Sequence, residues 1–140
     1  MRRTIHLSDR SYPAHNRPMH QSLEALPVTI DLPGFTGRWT EMGDWHFAYQ
    51  KAAAGSNLDR VLSIYDDRAC RVEHWGYVFE GRVRIQFVDG REEVVEAGEA
   101  FHTPPGHRPF MLEDTVMLQV SRKSEHDRML ADIAASREGS

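Results

Sequence analysis

Four residues in the second half of the chain have types and spacing that could do chemistry. Cys70 and His74 stand four apart in Cys70-Arg-Val-Glu-His74, and His102 and His107 flank the turn Thr103-Pro-Pro-Gly106. Thiolate and imidazole are ligands that both zinc and iron accept. Imidazole alone can exchange a proton near neutral pH. In a strand every second side chain shares a face, so Arg68, Cys70, Val72, His74, Gly76 and Val78 form one set. Arg71, Glu73, Trp75, Tyr77 and Phe79 form the other. Four residues of ideal strand span ~13 Å, so Cys70 and His74 reach one ion only if the chain curves or bulges. The bland readings stand beside this one. His74 can be a hydrogen-bonded neutral histidine and Cys70 a small buried hydrophobe, with His107 exposed on a turn and His102 facing outward.

The elements that must position these residues are short strands. Trp45–Tyr49, Val61–Tyr65, 72–79, Val83–Val88, Glu92–Glu96, a short run after Gly98 and Thr115–Ser121 are apolar or alternating, and Gly, Pro, Asp and Asn separate them. Asp89-Gly90 is a hairpin signal. Seven or eight such strands without intervening helix describe an antiparallel sandwich or barrel over residues 37–121. Residues 1–36 carry Pro13, Pro18, Pro27 and Pro33, which favours an extended arm. One helical turn fits Ser22–Leu26, and Ile5, Leu7, Tyr12, Leu23, Leu26 and Val28 offer apolar anchors. At the other end Ser124 can cap a helix running to about Arg137, within a terminal segment 122–140. His46 lies on the face opposite Trp45, Phe47 and Tyr49, where it could join a site but more often would be solvated, and His126 is expected on the surface of that helix.

The 140 residues suit one domain. Seventeen basic against 21 acidic residues leave a net charge of −4, which argues against nucleic acid as a partner. A single cysteine excludes an internal disulfide and points to a reducing, cytoplasmic setting. No apolar run approaches the ~20 residues of a membrane span, and the charged N-terminus has no hydrophobic region behind it, so neither membrane nor signal peptide is expected.

The blocks Cys70-Arg-Val-Glu-His74-Trp-Gly-Tyr77-Val-Phe-Glu80-Gly81 and Gly98-Glu-Ala-Phe-His102-Thr-Pro104-Pro-Gly106-His107-Arg-Pro109 resemble the two motifs of the cupin superfamily. The resemblance covers about residues 44–120. It implies an all-β, cupin-type antiparallel barrel (a double-stranded β-helix or jelly roll) with an extended N-terminal arm and a C-terminal helix. It also places the face of His74 inside the barrel. The ligand positions depart from the family. Counting back from Gly81, His74 stands at the Glu position, and Cys70 and Arg68 stand at the two histidines. Pro109 replaces the histidine of the second motif, while His107 directly follows Gly106.

The set His74, His107, His102 and Cys70 is therefore the expected metal site, with Arg68 in the pocket. The resemblance implies one divalent ion (zinc or iron) or none, and a small-molecule ligand in the barrel. Two functions stay open. One is a metal-dependent enzyme of dioxygenase, isomerase or cyclase type, and the other is a metal-free binding protein without catalysis. Trp75, Tyr77 and Phe79 make an outward aromatic stripe that needs cover, so a homodimer through that face or through the arm is expected.

Overall fold

Two-residue alternation and turn chemistry fix the course of this chain. The computed structural model describes residues 19–138; the expected anchors Ile5, Leu7 and Tyr12 lie outside them. A 3₁₀ turn at Leu23–Ala25 leads into strands β1 (Val28–Leu32), β2 (Phe35–Met42) and β3 (Trp45–Ala52), then a helical turn α1 (Asp59–Leu62). Strands β4 (His74–Glu80), β5 (Arg82–Phe87), β6 (Glu92–Glu96), β7 (Ala100–Thr103), β8 (His107–Met111) and β9 (Thr115–Arg122) follow, and helix α2 (Lys123–Glu138) closes the described chain. The strands form a six-stranded sheet, β1-β2-β3-β9-β4-β7, and a three-stranded sheet, β6-β5-β8. All pairs are antiparallel. This is the expected jelly roll.

Gly81 turns β4 into β5 at φ +90°, where a Cβ would collide with the Asp114 carbonyl. Between the sheets Phe35, Val78, Val83, Ile85, Met111 and Met117 pack into the main core. No helix among the described residues is long and apolar enough to cross a membrane.

Two elements differ from expectation. Val61–Tyr65 is not a strand. Asn57 Oδ1 accepts the Asp59 N–H at 2.9 Å and Leu58 carbonyl accepts the Leu62 N–H at 2.9 Å, so the run opens as the helical turn α1. The apolar residues there serve burial, with Leu62 only 2% exposed and Val61 and Ile64 half-buried. The arm is also shorter than residues 1–36, because Val28–Leu32 joins the sheet as β1. Pro27 and Pro33 flank that edge strand and do not interrupt it, which is where a sheet tolerates proline.

Candidate metal centre and adjoining cavity

Cys70, His74 and His107 converge from three places. His74 opens β4 and His107 opens β8, one in each sheet. Cys70 belongs to neither: it sits in an isolated bridge opposite His107. Two backbone hydrogen bonds make that bridge. The Cys70 N–H donates to the His107 carbonyl and the Gly106 N–H to the Cys70 carbonyl, each at 2.8 Å. Gly106 adopts φ +93° to allow it. Residues 71–73 leave extended strand geometry, so the ideal span does not apply. Cys70 Sγ lies 3.4 Å from His74 Nε2. His107 keeps the inward parity of Pro109, two residues along β8, where both are buried. A histidine of this segment thus stands two residues before Pro109 on the same face of the strand.

One donor atom from each of the three residues lies within 4.8 Å of the other two, and all three residues are buried. Bonds of roughly 2.1–2.3 Å to a tetrahedral ion place ligand atoms about 3.4–3.7 Å apart, and the Sγ–Nε2 pair already stands there. The Pro104 carbonyl accepts from His107 Nδ1 at 2.7 Å. That bond puts the proton on Nδ1 and leaves the Nε2 lone pair for a ligand role, as second-sphere carbonyls do. Burial pushes both imidazoles down, His74 well below its ordinary value with the His107 charge adding to the effect. Both are thus neutral near pH 7. Burial pushes the Cys70 thiol up to about 11, so an ion binding there displaces its proton. His74 Nδ1 is buried without a partner. This donor set fits a metal ion.

Beside Cys70 and His74 lies a cavity of about 70 Å³, which sequence reasoning did not foresee in this form. His46 on β3 and His126 on α2 border it, as do Trp39 on β2 and Gln119 and Ser121 on β9. Neither histidine is solvated. His46 is 4% and His126 5% exposed. Their rings stack at 3.6 Å and 14°, and Trp39 meets both edge-on at 4.9 and 4.7 Å. Strand parity could have placed His46 with Ala48 and Gln50 on the inward face. His126 gave no such signal, because its burial comes from docking of α2.

His102 and Arg68 are corrections. His102 points outward from β7, exposed, and its Nε2 meets Glu73 Oε2 at 2.7 Å. It stacks on Trp75 at 5.4 Å, while Arg122 lies 5.0 Å from the same Trp75 ring. The pairing of Trp75 with His102 across the sheet places it on the face opposite His74. Arg68 does not line the cavity either. Its backbone is left-handed at φ 53°, which ends the strand alternation, and its exposed side chain reaches Asp59 at 3.9 Å.

Residues 71–115 match the family described as cupin domain. Among solved structures, KdgF from Halomonas sp. is 17% identical at a TM-score of 0.53, covering 71% of this chain and 88% of that one. Ectoine synthase from P. lautus is 15% identical, TM-score 0.57, covering 76% and 78%. An RmlC-like cupin from Shewanella frigidimarina NCIMB 400 is 16% identical, TM-score 0.57, covering 76% and 92%. No curated protein matches the chain. At these identities the structural likeness speaks for fold. Together with the matched segment, it gives the chain a cupin fold, with a cupin-domain match over residues 71–115.

Proposed function

We propose that the protein binds one divalent ion, zinc or iron, through Cys70, His74 and His107, and handles a small organic molecule in the adjoining cavity. The observation that carries this reading is the convergence of three buried donors, one of them oriented by the Pro104 carbonyl. When bound, such an ion supplies Lewis acidity toward a ligand oxygen. The chain's own residues do the rest. The cavity wall offers apolar packing, Pro104 fixes the His107 tautomer, and Cys70 gives up its proton on metal binding. Protein purified without an affinity tag should carry close to one zinc or iron per chain by elemental analysis. His74→Ala should remove it, and a wild-type protein without zinc or iron would refute the reading.

A metal-free binding protein is the second reading. It is favoured by the short Cys70–His74 contact, which an S–H to Nε2 hydrogen bond also explains. In that case ligand-induced thermal stabilisation occurs in metal-free protein and is lost in His74→Ala.

The assembly we propose is a homodimer in the cytoplasm. It is supported by the outer sheet face, where Trp45, Tyr77 and Phe79 are each about 40% exposed. A monomer in sedimentation at micromolar concentration would overturn it.

A further inference from the structure

The cavity beside the triad has a second pole that the metal reading does not use. The large majority of buried side-chain polar atoms in proteins are paired. Here Trp39 Nε1 and His46 Nε2 are both buried with no hydrogen-bond partner, and both residues line the same cavity. Their rings lie 4.9 Å apart, close enough for one small ligand to touch both. Ile30, Leu58, Val61 and Leu62 give the cavity an aliphatic wall. Among the described residues no Lys, Arg, Asp or Glu borders the space.

Size and charge then restrict the occupant. A cavity that admits benzene measures roughly 150 Å³, so about 70 Å³ admits a molecule of about three to five heavy atoms. A carboxylate or ammonium entering this pole would lose its hydration with no opposite side-chain charge to replace it. An uncharged oxygen loses far less, and it gains two donors.

We propose that this cavity is a binding site for a small uncharged molecule whose carbonyl or hydroxyl oxygen accepts hydrogen bonds from Trp39 Nε1 and His46 Nε2. Its short carbon skeleton packs on the aliphatic wall. The inference rests on the reading that the barrel holds an organic ligand, and it requires no metal.

The chain has three tryptophans, so an indole ¹⁵N–¹H spectrum resolves Trp39 once Trp45→Phe and Trp75→Phe assign the other two. Acetamide, acetate and xenon serve as probes on protein as purified and after chelation. Acetamide should move the Trp39 indole signal saturably in the millimolar range and raise the thermal midpoint. In chelated protein acetate should bind at least tenfold more weakly. Trp39→Phe should weaken acetamide at least tenfold with the metal content of the wild type. If that variant does not fold, the wild-type indole shift decides. A Trp39 signal that no probe moves, up to about 100 mM, means ordered water alone fills the space and overturns the proposal. So does acetate binding as well as acetamide, or xenon binding that leaves acetamide without effect. Protein purified without metal that still binds acetamide refutes the metal centre and upholds this site; metal-loaded protein blind to acetamide does the reverse.

Discussion

The two ends of the barrel interior are built from the same strands and have opposite characters. Along β4 the inward residues run His74, Gly76, Val78; along β8 they run His107, Pro109, Met111; along β9 Ser121, Gln119, Met117. Each series passes from polar to apolar. The apolar end closes into the core of Phe35, Val78, Val83, Ile85, Met111 and Met117. At the other end stand Cys70, His46, His74, His107 and His126, all buried, around a cavity and several unpaired nitrogens. Gly76 marks the transition: a Cβ there would collide with the Phe101 ring and the Leu118 carbonyl. Phe101 thus plugs the barrel below His74. The fold stores its stability at one end and can afford imidazoles at the other.

The sharpest way to test that division is to damage each end separately. Met117 is 2% exposed in the core. Met117→Ala should cost about 2–5 kcal/mol in urea or thermal denaturation, from lost burial plus the cavity left behind. Metal content per folded chain should stay at the wild-type level. Loss of metal with the fold intact would show that the two ends are not separable.

Acid should attack the opposite end. Burial pushes His46 down to about 4, with the charge of His126 adding and Asp127 opposing. His126 is also lowered by burial. Trp39 and Ser121 flank His46 without contributing charge. The unfolded chain, titrating near 6.5, binds more protons than the folded one between those values. Stability contributed by neutral His46 is therefore complete above about pH 6.5 and falls as pH drops toward 4, by up to about 3 kcal/mol. In His46→Gln the slope of stability against pH should flatten across that window. An unchanged slope would remove His46 as its source.

The contrast also explains what could be read in advance. The inward parity of His74, Gly76 and Val78 and the outward parity of Trp75, Tyr77 and Phe79 follow from period two, and β4 obeys it. The hairpin glycines Gly81, Gly90, Gly98 and Gly106 all adopt positive φ. The meeting of Cys70 with His74 followed only from the resemblance and the allowance for a bulge; period two alone does not give it, because it depends on residues 71–73 leaving strand geometry and on the bridge to His107. The burial of His126 was not legible, because its partner His46 lies 80 residues earlier on another element. Local pattern fixes a face; it does not reveal which faces the tertiary fold will bring together.

A smaller effect sharpens the site end further. His74→Ala in metal-free protein should cost no more than about 1–2 kcal/mol, because the ring removed already carries an unpaired Nδ1. In metal-loaded protein the same variant should lose the whole stabilisation that the ion supplies, which grows with free metal concentration. Equal losses with and without zinc or iron would make His74 a packing residue.

The smallest expected effect separates two histidines that the sequence places five residues apart. His107 is 3% exposed and held by Pro104, whereas His102 lies on the outer face against Trp75 and Glu73. Removing the His102 ring leaves Glu73 with Arg122 at 2.6 Å and leaves Trp75 with Arg122 over its face. Nothing buried loses its partner, and exposed ion pairs are weak because water and salt screen them. His102→Ala should therefore shift the thermal midpoint by no more than about 2–3 °C and leave metal content unchanged. His107→Ala should empty the site, since it removes one of only three donors. If His102→Ala instead strips the metal, the ion is held on the outer face of the sheet and the buried triad is a hydrogen-bonded core cluster.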